Sequence, residues 1–232
     1  MKTIVAGKEE CIRRAAGELL ELVKAKSDAA LVSSAERDEL WVLEAFVQEA
    51  KAQGVCLDRL RFFAACEFEA PARDNKLSVR ARLLACLTAG GIREENLFAP
   101  GADCEAYDRL IEDAGGIDLA LLGLGLNARV AFNEPATPYD SHTHTQKLTR
   151  PTRETLSALF GGVDKTPERG VTLGFQNLCA ARRILVIALG EEKNKAVYRM
   201  LYGRNDSIYP AAFLQLPLQV TLYADEEAAR GI

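Results

Sequence analysis

The chain has 232 residues, 48% of them hydrophobic and 27% charged, which is enough apolar content for one large domain over 1–232 with no composition shift to mark a second. Its formal net charge is -4 and its lysines and arginines are scattered, which argues against a nucleic-acid or anionic-membrane partner. Charges break up the first ten residues before a signal peptide or membrane span can form, so a cytoplasmic protein is expected.

Apolar residues recur at helical spacing from Cys11 to Val23 and predict an opening helix. A short apolar strand at 29–32 follows, then Ser33-Ser34-Ala35-Glu36 and a helix through Leu40, Trp41, Leu43, Phe46 and Val47 that stops near Gly54. Ser33 and Glu36 fit a capping box, with Ser33 as N-cap and Glu36 reaching back. The alternation continues with a strand near 60–66, a helix near 77–87, a strand near 96–98 and a helix near 104–114. Residues 117–122 form a continuous apolar run of the kind buried on both faces of a parallel sheet. Later come strands at 171–174, 184–189 and 219–223 and a helix at 193–202. Residues 133–151, rich in Pro, Thr and His, read as a long functional loop. The fold class is therefore α/β: a doubly wound, mostly parallel sheet flanked by helices. Ligands of such sheets sit beyond the carboxyl ends of the strands, so the loops after Val32, Ala65, Leu122 and Leu189 are the places to look.

None of the six cysteines lies in a Cys-x-x-Cys pair, and His142 and His144 have no convincingly spaced third ligand. No metal or cofactor is expected. Ser33 and Ser34 lack the Gly-x-Ser-x-Gly setting of a nucleophile.

The run Gly123-Leu124-Gly125-Leu126-Asn127-Ala128-Arg129-Val130-Ala131-Phe132-Asn133-Glu134-Pro135 resembles the signature of the glucosamine-6-phosphate deaminase and galactosamine-6-phosphate isomerase family. There the turn reads Gly-x-Gly-x-(Asp or Asn)-Gly-His and ends in Asn-Glu-Pro. Three further segments agree in order: Gly170-Val171-Thr172-Leu173-Gly174, the strand ending Gly190-Glu191-Glu192-Lys193, and Pro210-Ala211-Ala212-Phe213-Leu214-Gln215-Leu216. The related 6-phosphogluconolactonases share the turn, but Phe132-Asn133-Glu134-Pro135 sides with the hexosamine branch.

The resemblance implies ring opening of a hexosamine 6-phosphate, aldose–ketose isomerisation and release of ammonia, with no cofactor. It implies a sugar-phosphate partner and is compatible with a homo-oligomer. Mapped onto the family pattern, the candidate catalytic residues are Cys66, Asn127, Arg129 and Glu134, and the candidate substrate-binding residues are Ser33, Ser34 and Lys193.

Three of these depart from the pattern. Cys66 stands where the family has its proton-shuttling Asp, and a thiol is a poor stand-in for a carboxylate base. Arg129 replaces the ring-opening His and keeps its proton, so it is expected to anchor an anion or to pair with Glu134. Ser33-Ser34-Ala35-Glu36 replaces a glycine-rich phosphate loop and brings a carboxylate. Glu67, beside Cys66, is expected to point elsewhere. The alternative reading is a catalytically impaired homologue that senses a sugar phosphate or acts as a scaffold, and a third is an enzyme for an unphosphorylated substrate.

Overall fold

The computed structural model describes residues 1–69, 75–204 and 207–232. In chain order the elements are β1 (Lys2–Ala6), α1 (Lys8–Ala25), β2 (Ala30–Ser33), α2 (Arg37–Ala52), β3 (Arg61–Ala64), β4 (Cys66–Phe68), α3 (Val79–Leu87) and β5 (Leu97–Phe98). They continue with α4 (Cys104–Asp113), β6 (Leu119–Gly123), β7 (His144–Lys147), α5 (Arg150–Phe160), β8 (Arg169–Thr172), α6 (Phe175–Cys179), β9 (Ile184–Ala188), α7 (Asn194–Tyr202) and β10 (Val220–Asp225).

Seven strands form one sheet in the order β1-β10-β9-β6-β2-β3-β5, and all its pairings are parallel. Every residue of β2, β6 and β9 is buried, which is why these segments read as unbroken apolar runs. After β2 the chain moves to β3 and β5 on one side, and after β6 to β9 and β10 on the other. The order therefore reverses between β2 and β6, and the crevice beyond their carboxyl ends is the place where such a sheet takes a ligand.

Among the differences from the sequence expectation, two concern whole strands that the apolar pattern does not mark. Lys2–Ala6 is an edge strand with a largely exposed burial pattern, so it carries little of the apolar signal that marks the central strands. The expected loop at 133–151 contains β7 and the start of α5, and β7 pairs antiparallel with β8, which in turn pairs antiparallel with β4. Phe132 N–H donates to Thr172 Oγ1 of β8 at 3.3 Å and Asn133 Nδ2 to the Leu173 carbonyl at 2.8 Å, so this small second sheet holds the loop that carries Glu134.

Ala35 and Ala128 adopt φ of 55° and 64°, at the places where the family pattern has glycine. A non-glycine residue in this region is strained by about 1–2 kcal/mol. Glycine would relieve that, but would lose a buried methyl of about 0.8 kcal/mol and add unfolded-state freedom. Ala35→Gly and Ala128→Gly are thus expected to change stability by less than about 0.5 kcal/mol, whereas Ala15→Gly in α1, also fully buried, should cost about 2 kcal/mol. Urea denaturation of the three variants checks the contrast; equal losses at all three positions would show that the backbone strain is not significant.

Candidate active site

The signature turn begins where β6 ends. Gly125 N–H donates to Arg129 O and Ala128 N–H to Gly125 O, each at 2.9 Å, which closes the turn. A Cβ on Gly125 would lie 2.3 Å from Arg129 Cγ, so glycine there lets the arginine stem fold back across the turn. The Arg129 side chain is 2% exposed and pairs with Glu36 Oε1 at 2.5 Å, while its Nη1 also donates to the Ala131 carbonyl. Burial opposes both charges, but each outweighs it for the other. The Arg129 charge, with help from Lys193, holds the Glu36 carboxyl below its ordinary value, and Glu36 and then Glu134 hold the Arg129 guanidinium above its own.

Glu134 therefore is not the salt-bridge partner of Arg129. Its Oε2 accepts from Asn127 Nδ2 at 2.8 Å and Thr149 Oγ1 at 3.1 Å, and its Oε1 from Thr149 N–H at 3.0 Å. Asn127, Glu134 and Thr149 form a fixed polar corner. Thr149 sits just before α5 and was missed in the sequence, although Thr149-Arg150-Pro151 carries the hydroxyl-then-proline signal of a helix start.

The capping box is not formed. The N-cap of α2 is Glu36, whose side chain makes no cap hydrogen bond because it turns to Arg129. Glu39 takes over the loop instead: its carboxylate accepts from the Ser33 hydroxyl, from Ser34 N–H at 2.6 Å and Oγ at 2.5 Å, and from Gly123 N–H at 2.6 Å. Ser33 and Ser34, nominated to bind substrate, are 0% and 3% exposed and have their hydroxyls committed to Glu39. A carboxylate thus lies inside the strand-end loop, but it comes from Glu39 rather than from a Glu36 cap.

Burial, reinforced by the Glu36 charge, pushes the Glu39 carboxyl from 4.5 up to about 7. Between those two values the folded state holds a proton that the unfolded state has released. The contribution is complete below pH 4.5 and is lost as pH rises through 7, with a slope of at most about 1.4 kcal/mol per pH unit. Glu39→Gln is expected to remove this slope from the stability difference between variant and parent, measured by denaturation from pH 4.5 to 8; parallel curves would refute it.

Cys66 is 1% exposed, and burial raises its thiol well above the ordinary value, so it supplies no thiolate. Its neighbour Glu67 does point elsewhere: the carboxylate accepts from Phe68, Val79 and Arg80 N–H and caps α3. His142 Nδ1 lies 3.7 Å from Asp108 and His144 Nδ1 sits 2.8 Å from the His142 carbonyl. Among the described residues no three His, Cys, Asp or Glu side chains gather as a metal site, and no helix is long and apolar enough to cross a membrane.

Beside the turn lies an open cleft of about 450 Å³. Its charged lining is Glu36, Glu192, Arg37, Arg82, Arg129 and Lys193, and its apolar lining is Leu126, Leu156, Ala158 and Leu159. Arg129 and Lys193, two of the nominated residues, reach this cleft. Ser33, Ser34 and Cys66 are packed behind it.

The family model of glucosamine-6-phosphate isomerases and 6-phosphogluconolactonase matches residues 41–222. The chain belongs to this family. It is 32% identical over 231 residues to the glucosamine-6-phosphate deaminase of Bacillus velezensis, covering 96% of each. With that of Halalkalibacterium halodurans it is 40% identical over 148 residues, and there the match spans 61% of this chain and only 60% of the relative. A solved monomeric glucosamine-6-phosphate deaminase superposes with a TM-score of 0.93 at 26% identity over 99% of both chains. The 6-phosphogluconolactonase of Trypanosoma brucei, at 19% identity and a TM-score of 0.79, shares the fold. As a member of the hexosamine-6-phosphate isomerase and deaminase group, this chain has the scaffold of its relatives, with Asn127 and Glu134 hydrogen-bonded in one corner of it.

Proposed function

We propose that this chain handles hexosamine 6-phosphates in amino-sugar metabolism, binding them in the crevice beyond β2 and β6 and driving the aldose–ketose isomerisation and deamination of its relatives slowly. The observation that carries the reading is the cleft itself: it opens at the sheet's switch point, bordered by the signature turn, with Lys193 of the Gly-x-x-Lys position in its lining. The slowness follows from the proton-transfer groups. Isomerisation moves a proton between C1 and C2 of the open sugar, which needs a base near neutral pH. Residue 66 is a buried thiol with a raised pKa, and residue 129 is an arginine that stays protonated. The carboxylates that line the cleft are Glu36 and Glu192, each weakened as a base by pairing with an arginine, Glu36 with Arg129 and Glu192 with Arg37.

The alternative to this reading is ligand binding without turnover. Incubation with glucosamine 6-phosphate and galactosamine 6-phosphate, with ammonia and ketose both measured, separates the two: slow product formation supports the first reading, and binding with no product supports the second.

A further inference from the structure

The backbone donors at the strand ends are already used by the protein's own carboxylates. Glu39 takes Ser34 and Gly123 N–H, at 2.6 Å each; Asp38 takes Leu189 N–H at 3.0 Å; Asp225 takes Gly190 N–H at 2.9 Å. An incoming dianion would have to compete with three carboxylates for these four donors. The cations around the cleft are not all in the same condition. Arg129 is neutralised by Glu36, and Arg37 by Asp38 and Glu192, each at 2.9 Å.

Arg82 and Lys193 remain. Among the described residues neither forms an ion pair with a carboxylate, and Lys193 Nζ donates only to the Leu124 carbonyl. Both line the cleft. Lys193 is 9% exposed, and Arg82, reaching in from α3, is buried enough that its guanidinium is held below its ordinary value, with Glu36 and Glu39 acting on it only through space. A partly desolvated guanidinium without a bonded anion is unfavourable, and a bound phosphate would satisfy it with charge-assisted, forked hydrogen bonds.

We propose that Arg82 and Lys193 together anchor the phosphate of the ligand, so that side-chain cations of the cleft lining hold a group for which four strand-end N–H groups are already taken. The proposal rests on the hexosamine 6-phosphate reading for the identity of the ligand, but not for the existence of the anion site. Arg82 is the new binding residue. Leu126, Leu156 and Leu159 supply the apolar lining for the less polar side of the sugar.

Calorimetric titration of the full chain with glucosamine 6-phosphate, unphosphorylated glucosamine and inorganic phosphate tests this. The expected result is at least a tenfold preference for the phosphorylated sugar, reduced to within about threefold by Arg82→Gln with glucosamine binding unchanged, and partly kept by Arg82→Lys. Inorganic phosphate is expected to bind the parent and to weaken at least tenfold in the variant. A preference that survives Arg82→Gln, or a parent that binds neither phosphate nor the phosphorylated sugar, overturns the proposal. Phosphate binding that depends on Arg82 with no binding of any hexosamine leaves the anion site standing and removes the hexosamine reading. If Arg82→Gln does not fold, Lys193→Gln is read in the same way.

Discussion

Arg129→Met is expected to lower the stability of this chain by about 3–5 kcal/mol, a fall in Tm on the order of 10 °C for a domain of this size. The variant leaves Glu36, 18% exposed in the pair, as a charge facing Glu39 with no partner. The loss should come from the stranded carboxylate more than from the missing contacts, because the net worth of a buried pair is small once both desolvation costs are counted. The double variant Glu36→Leu with Arg129→Met is therefore expected to recover most of the loss. Thermal denaturation of both single variants and the double variant gives the coupling directly, and losses that simply add would show that the pair does not act as a unit.

Reversion of the chemistry should have the largest effect on activity. Cys66→Asp with Arg129→His supplies the carboxylate and imidazole that the family resemblance implies at these positions, but the structure adds a condition that the sequence did not: the imidazole would leave Glu36 without its cation. The triple variant with Glu36→Thr is the fair test. Because one positioned acid–base group contributes about 10²–10⁴-fold, ketose formation from glucosamine 6-phosphate is expected to rise at least 10²-fold over the parent. The double variant lacking Glu36→Thr should gain less and be less stable. A triple variant that folds and is no faster than the parent would mean that residues 66 and 129 are not what limits the reaction.

The fold was legible because its central strands are buried on both faces: 117–122 announced β6, and 184–189 announced β9, to within two residues. Segments that touch solvent were not legible in the same way. Lys2–Ala6 is an edge strand, and His144–Lys147 alternates half-buried and exposed polar residues, so neither carries an apolar period. The site divides along the same line. Asn127 and Glu134 lie in one motif and could be read as a unit, and Glu67 was correctly turned away from Cys66 by strand alternation. The partner of Arg129 was not readable, since Glu36 comes from a different strand-to-helix loop and is brought to it only by the pairing of β2 with β6. The capping box failed for a related reason: its spacing was correct, but a buried guanidinium attracts Glu36 more strongly than an orphan N–H does. Arg82 carried no signal at all, because an arginine on an amphipathic helix normally reads as a solvated charge.

The central claim is that this cleft still receives a hexosamine 6-phosphate while its proton-transfer groups are weakened. Proton NMR of glucosamine 6-phosphate mixed with the protein reads both halves in one sample, with saturation transfer reporting contact and new ketose resonances reporting turnover. The account predicts saturation transfer to the sugar protons, with ketose accumulating at least about 10²-fold more slowly than with the triple variant. Absence of saturation transfer, or ketose formation by the parent as fast as by the triple variant, would contradict it.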